Sequence, residues 1–315
     1  MTQPIRPKGM EELAKKAHVT VSPAPDVDSV LKVVSEYDAL ITRTTKVGRP
    51  IIEKGSNLKA IAAHGTGVDL IDVEAASEHG IPVLHAPGAN AQSVAEMVAA
   101  AMLALSRHLV SADQALRLER QYNKRDLFIG HDLAEKTVGI IGLGQIGKKV
   151  AQICSNGFNM KVLAFDPWLK EEHFAGLNAN RAKSLDDMLS VSDFVTINCP
   201  LTKDTRDLIG KKELQKMKQS AYLINYARGP IVNKEAIIAA LSNKQIAGAA
   251  FDIFWEEPPA KDCPFFELPN VLATPHIAAF SHESMDKMSL TIAQDVLRVL
   301  EGSRPLYMAN PDVWK

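Results

Sequence analysis

Residues 137–147, TVGIIGLGQIG, constrain this chain more than any other stretch. A short apolar run ends on Gly142, Gly144 and Gly147. A helical pattern, QIGKKVAQIC, opens at once, and a second apolar run, KVLAF, closes on Asp166, 19 residues after Gly147. Glycines alone would only tighten a turn. Set between a strand and a helix, and followed by an acid at the end of the next strand, they form the βαβ fingerprint of a dinucleotide site. In that reading Gly142 makes the tight turn, Gly144 lets the backbone approach a pyrophosphate, and Gly147 lets the helix pack close to the strand. The Asp166 carboxylate accepts from ribose hydroxyls and repels a 2′-phosphate, so NAD is favoured over NADP. No GxxxxGK[ST] loop is present, which disfavours ATP and GTP.

A chain of 315 residues exceeds what one hydrophobic core usually serves, so two lobes with a cleft are expected. The first part alternates short β-rich runs (HVTVS, ALITR, LKAIAAHG, IPVLHA) with helical ones. After PGAN a long helix is predicted from about Ala91 to at least His108. A second series then supplies six strand candidates: TVGIIG, KVLAF, DFVTINC, AYLINYA, QIAGAAFDIF and NVLATPH. Alternation of this kind specifies mainly parallel sheets. The predicted class is α/β with two doubly wound domains, a flavodoxin-like substrate domain (1–99 plus 289–315) and a Rossmann NAD-binding domain (100–288). The last helical pattern, ending before Gly302, is expected to cross back to the first lobe.

Composition excludes several classes. Apolar residues make up 46% and charged residues 23%, with a net charge of -1, which calls for neither nucleic acid nor an anionic membrane. The most apolar stretch, AEMVAAAMLALSRHLV, is interrupted by Glu96 and Arg107 and reads as a buried helix, not a membrane span. The first residues show no signal-peptide pattern, and three cysteines without CxxC spacing provide neither a disulfide framework nor a zinc site. No metal and a reducing cytoplasm are the expectations.

Three patches gather polar groups at strand ends of the second series, where α/β sheets place their ligands. NYARGPIV carries Arg228, GAAFDIFWEEPP carries Asp252, Glu256 and Glu257, and ATPHIAAF carries His276. An arginine fork can hold a carboxylate. A histidine paired with a carboxylate can give and take a proton near neutral pH. Together they suit interconversion of a 2-hydroxy acid and a 2-oxo acid. In the first lobe the glycine-flanked loop HGTGVD offers backbone amides as an anion nest.

With these motifs in view, the chain resembles the D-isomer-specific 2-hydroxyacid dehydrogenases. HGTGVDLID, PGANAQSVAE, GIIGLGQIGKKVA, CPLTKDT, LINYARGPIV, FDIFWEEPP and TPHIA stand in the family's order across nearly the whole length. The resemblance implies that Arg228 binds and polarises the substrate and that His276 is the general acid/base. The glutamate before proline, 29 residues after the arginine, is then its partner, which makes Glu257 the relevant acid and Glu256 a neighbour. A glutamate there also disfavours a formate dehydrogenase. By the same resemblance Asp252 hydrogen-bonds the nicotinamide amide, Ala227 and Cys199 line the cofactor through their backbone, and Gln145 and Ile146 contact the pyrophosphate. Thr66 and Gly67 would receive the substrate carboxylate, Thr66 also lying near the nicotinamide, and lobe closure would exclude water.

Two departures are visible. Ala278 and Ala279 follow Pro-His-Ile, where the family often has glycine. Ala63 stands two residues before the first glycine of the GTGVD loop, where similar phosphoglycerate enzymes carry arginine, which leaves Arg43 and Lys46 of ITRTTKV as the cations expected to face the cleft. The chain ends soon after its last helix, implying a form without the C-terminal regulatory domain of many phosphoglycerate enzymes. The expected substrates are hydroxypyruvate or glyoxylate, or the 3-phosphoglycerate/phosphohydroxypyruvate pair, and the resemblance implies a homodimer. A second expectation is a non-catalytic, NAD-sensing binding protein of the corepressor kind.

Overall fold

The computed structural model describes residues 1–314. It divides into two compact units, Met1–Asn90 with the tail from Ala279, and Ala91–Ala278. The boundaries fall nine and ten residues before the expected ones, because a helix packs as one rigid body and each expected cut lies inside a helix.

Unit 1 begins with α1 (Pro7–Ala14), α2 (Val27–Val33), β1 (Ala39–Thr42), α3 (Arg49–Lys54), β2 (Ala60–Ala63), α4 (Val73–Glu78) and β3 (Val83–Leu84). Its three strands are parallel, in the order β1-β2-β3. Alternation along the strands separates two cores. Ile41, Ala60, Ala62 and Leu84 pack toward one set of helical residues, while Leu40, Ile61, Ala63 and Val83 pack toward another. Side-chain caps fix where the helices start: Asp26 accepts from the Ser29 amide at α2, and Asp72 from the Ala75 amide at α4.

The HVTVS segment does not form a strand. The Met1 amine donates to Thr20 O at 2.7 Å and Ser22 N to Met1 O at 2.8 Å. Two bonds to a single residue cannot sustain a ladder, whatever the β propensity of His-Val-Thr-Val.

Unit 2 contains α5 (Ala91–Ser106), α6 (Leu109–Arg117), β4 (Thr137–Ile141), α7 (Gln145–Gln152), β5 (Lys161–Phe165), α8 (Glu172–Ala175), β6 (Ala179–Arg181), α9 (Leu185–Val191), β7 (Phe194–Ile197), α10 (Lys211–Lys216), β8 (Tyr222–Asn225), α11 (Lys234–Ser242), β9 (Gly248–Phe251) and β10 (Val271–Ala273). The seven strands lie in the order β10-β9-β8-β7-β4-β5-β6, all neighbours parallel. Six of them match the runs read from the sequence. The seventh, β6, has only three residues, too few to leave a periodic signal. Strand order reverses direction at β4, flanked by β5 and β7, and the carboxyl end of β4 is therefore the switch point at which such sheets bind ligands.

Helix α5 packs against α7, β8 and β9, which is why it belongs to unit 2. It buries Val94, Ala95, Val98, Ala101 and Met102, and it stops where His108 takes a left-handed backbone with φ 53°. The final helix, α12 (His282–Leu300), packs on α1, β2 and β3 and so returns to unit 1. Among the described residues no single helix is both long and apolar enough to cross a membrane.

Candidate active site

Three loops at the carboxyl ends of β8, β9 and β10 bring Arg228, Glu257 and His276 together within unit 2. The Nδ1 of His276 lies 2.8 Å from Glu257 Oε2. The other carboxylate oxygen, Oε1, accepts from the Phe254 amide at 3.1 Å, which fixes the acid's orientation. The hydrogen bond to Glu257, aided by its charge and that of Asp252, raises the His276 pKa against the opposing effects of burial and of Arg228. Burial pushes Glu257 upward, but the His276 hydrogen bond, the two nearby cations and the Phe254 amide outweigh it and hold the carboxyl below its usual range. Arg228 is thus near enough for its charge to act on both partners. Its Nη1 donates to the Ala227 carbonyl at 2.7 Å. Glu256 is exposed.

An aromatic cluster explains why the FWEEPP turn holds its shape. Phe265 is fully buried, with ring centroids 4.9 Å from Phe251 and 5.5 Å from Trp255. Trp255 Nε1 donates to Val232 O at 2.6 Å, which ties this turn to the segment after Arg228. The two loops touch at Gly229, where a Cβ would lie 2.2 Å from the Phe254 carbonyl carbon. Only glycine allows backbones to approach so closely.

Asp252 holds the histidine loop. It is completely buried, and its Oδ1 accepts from Thr274 Oγ1 at 2.6 Å and the Ile277 amide at 2.8 Å, while Oδ2 accepts from the Ala278 amide at 2.8 Å. The His276 amide also donates to Asp252 O at 2.8 Å. His276 itself has φ 55°, a left-handed conformation that costs free energy for a residue with a Cβ. Four hydrogen bonds from residues 274–278 to one aspartate impose it.

The glycine loop at the switch point fits a dinucleotide. Gly142 has φ +87°, a Cβ on Gly147 would lie 2.1 Å from Gly142 O, and a Cβ on Gly144 would enter open space. The first two positions therefore exclude side chains for internal reasons. Gly144 is bare toward the outside, where a pyrophosphate would approach. Helix α7 starts at Gln145 and Ile146 with no side-chain cap, leaving its first amides for an anion. Asp166 stands just past β5, with Oδ2 accepting from the Leu143 amide at 2.9 Å and Oδ1 from the Trp168 amide at 3.1 Å. The Cys199 backbone borders the same loop, since a Cβ on Gly142 would lie 2.9 Å from its nitrogen. Burial pushes the Cys199 thiol up to about 11, so it is a neutral wall.

In unit 1 the HGTGVD loop follows β2. Thr66 O accepts from His85 Nδ1 at 2.9 Å, and Asn90 Nδ2 reaches Thr66 Oγ1 at 3.5 Å. His64 Nε2 lies 2.8 Å from Ser289 Oγ, which itself accepts from the Arg6 amide at 3.0 Å. Burial, with the Arg43 charge, lowers His64 to about 4 and keeps the imidazole neutral. Arg43 Nη1 donates to Pro4 O at 3.0 Å, and Lys46 lines a cavity of about 530 Å³ with Arg49 and Leu70.

Residues 99–278 match the family model described as D-isomer specific 2-hydroxyacid dehydrogenase, NAD binding domain. The chain belongs to this family. It is 37% identical over 295 residues to a glyoxylate reductase of Thermofilum pendens, covering 92% of this chain and 86% of that protein. It is 36% identical over 304 residues to a D-3-phosphoglycerate dehydrogenase of Archaeoglobus fulgidus, covering 96% of this chain but only 57% of that protein's length. The fold aligns with a crystal structure of a glyoxylate reductase from Paecilomyes thermophila at a TM-score of 0.87 and 27% identity, covering 98% and 96% of the two chains.

Two features of this member of the family are not visible as single residues in its sequence. The Asp252 carboxylate, expected near the nicotinamide amide, also gathers three donors of the histidine loop. Asn90, at the end of the PGAN motif, is nine-tenths buried beside Thr66, and its Oδ1 has no hydrogen-bond partner among the described residues. A buried acceptor left open next to a bare loop is where a ligand donor would go. Asparagine is common in turns, and only burial separates this one from the rest.

Proposed function

We propose that the chain is an NAD-dependent D-2-hydroxyacid dehydrogenase, interconverting a small D-2-hydroxy acid and its 2-oxo acid. The observation that carries this reading is the 2.8 Å contact of His276 Nδ1 with Glu257, beside Arg228. NAD, when bound, supplies the hydride acceptor of the oxidative direction and, reduced, the donor of the reverse. The glycine loop from Gly142 to Gly147 and Asp166 would hold it, with Ala227 and Cys199 along its length.

With Nδ1 committed to Glu257, the histidine's Nε2 is the nitrogen that handles the substrate proton. In the reductive direction protonated His276 donates from Nε2 to the developing alkoxide, and the Glu257 carboxylate steadies the imidazolium. In the oxidative direction neutral His276 takes that proton back. Arg228 pairs its planar fork with the substrate carboxylate and draws electron density toward the carbonyl oxygen. The Thr66 and Gly67 amides are a carboxylate nest in their own loop.

The substrates we propose are hydroxypyruvate or glyoxylate, or else the phosphohydroxypyruvate/3-phosphoglycerate pair. They share the carboxylate and carbonyl and differ in the group at C3. A panel of hydroxypyruvate, glyoxylate, phosphohydroxypyruvate, pyruvate and a branched 2-oxo acid, read by NADH oxidation, is expected to give turnover with one of the first three. Binding of NADH without turnover on any of the five would instead favour a sensing role.

The pH profile gives a second test. Glu257 raises the His276 pKa, so reduction, which needs the protonated ring, persists to higher pH than an isolated histidine would allow. Glu257→Gln removes the largest cause of that rise. The alkaline limb for reduction is then expected to move to lower pH, and the acidic limb for oxidation to move the same way. An unchanged profile would remove Glu257 from the mechanism.

We also propose a homodimer and a cytoplasmic location. Leu109, Val110, Leu116, Leu118, Tyr122, Leu127 and Ile129 are exposed in one stretch of unit 2. Seven large apolar side chains so close in sequence support an interface with a second copy. Light scattering is expected to return twice the 34.3 kDa chain mass, and L118K with L127K to return one. A wild-type monomer at micromolar concentration would rule the dimer out. All three cysteines are free, which suits a reducing compartment.

A further inference from the structure

A cavity of about 500 Å³ in unit 2 opens at Asp166, the acid read as the ribose acceptor. Its walls carry charges of both signs. Asp166 and Glu171 line it together with Arg181, the last residue of β6, and Lys183 just beyond. Ala164 of β5 pairs with Arg181 of β6, the last residue of that strand, and the segments just past the two strands carry Asp166 and Lys183 into the same cavity. Among the described residues no ion pair forms between them, and the Asp166 oxygens accept the backbone amides of Leu143 and Trp168.

Lys183 is exposed and makes no hydrogen bond or ion pair among the described residues. Arg181 is held loosely, 3.8 Å from the largely exposed Glu171 and 5.6 Å above the buried Phe174 ring. An exposed pair at that distance contributes little and is easily exchanged for a better anion. The cavity thus offers a ribose hydroxyl an acceptor in Asp166 and offers a phosphate two cations.

We propose that Lys183 and Arg181 form a receiving wall for a 2′-phosphate, so that this chain binds NADPH as well as NADH, with Asp166 setting the preference for NADH. The proposal rests on the reading of the glycine loop as a dinucleotide site and extends it to the discrimination between the two cofactors. A phosphate of charge near −2 gains from two cations and loses to the Asp166 carboxylate. Removing either side tips the balance in opposite directions.

Fluorescence titration with NADH, NADPH and adenosine 2′,5′-bisphosphate, without substrate, tests this directly. Wild-type protein is expected to bind NADPH and the bisphosphate measurably, and both affinities should fall more steeply with salt than that for NADH. In Lys183→Gln the ratio of NADPH to NADH affinity is expected to fall about fivefold, the size of an exposed charge contact, and in Arg181→Gln it should fall likewise. Asp166→Asn is expected to raise that ratio by about tenfold or more as the repelling charge is lost. Undetectable NADPH binding in the wild type, or an unchanged ratio in both cation variants, overturns the proposal. Failure of the wild type to bind NADH is a different result, which overturns the dinucleotide reading itself. Lys183 is exposed and Arg181 lies on the rim, so a thermal melt serves only to check that the variants fold.

Discussion

His276→Ala is expected to lower turnover by about 10²-fold or more on the preferred 2-oxo acid, while NADH titrates to saturation as before. Without the imidazole the TPHIAAFS segment after β10 has no other ionisable side chain to deliver a proton, and Glu257 loses the group that it orients. Arg228→Ala should be of comparable size but differ in kind. There the substrate carboxylate loses its planar partner, so KM rises together with the fall in kcat, and Arg228→Lys rescues poorly because an ammonium cannot reproduce the fork. Steady-state kinetics of the three variants, with NADH binding measured separately, decides the matter. Full activity in His276→Ala would remove the histidine from the chemistry.

Asp252→Asn is expected to fall nearly as far, although Asp252 makes no proton transfer in this scheme. Thr274 Oγ1 and the Ile277 and Ala278 amides all aim donors at its carboxylate. An asparagine brings an NH₂ to one of those places and leaves a buried donor without an acceptor, at a cost of about 1–3 kcal/mol. The left-handed His276 backbone then loses part of what imposes it. A displacement of about 1 Å at the acid/base is enough for roughly 10²-fold in rate. Asp252 also helps to raise the His276 pKa, so the pH limbs should move to lower pH in this variant too. Kinetics across pH and a thermal melt are both needed. A lower melting temperature with kcat and pH limbs unchanged would make Asp252 a stabilising residue only and not a positioning one.

Several parts of the site were legible in the chain because their signals are local. The βαβ fingerprint is a matter of spacing within some thirty residues, and Gly142, Gly147 and Asp166 occupy the tight turn, the helix contact and the strand end that this spacing implies. The runs of β4, β5, β7, β8, β9 and β10 are apolar and bounded by turn residues, so strand and loop separate cleanly. Choosing Glu257 over Glu256 required only a count from Arg228 and the proline that follows it.

Other features depend on partners far apart in sequence. HVTVS has strand composition but no strand beside it except a single residue at the amino terminus. The unit boundaries at Asn90 and Ala278 follow from what α5 and α12 pack against, which no helical periodicity records. The burial of Asn90, the contact of Gly229 with Phe254, and the meeting of Lys183 and Asp166 at one cavity belong to the same class. By itself the sequence determined the class of fold and singled out the glycine loop and the Glu257–His276 pair, because each is written in local spacing and residue type. Only the tertiary structure decided which donors the Asp252 carboxylate meets, because they come from residues 274–278, more than twenty positions away.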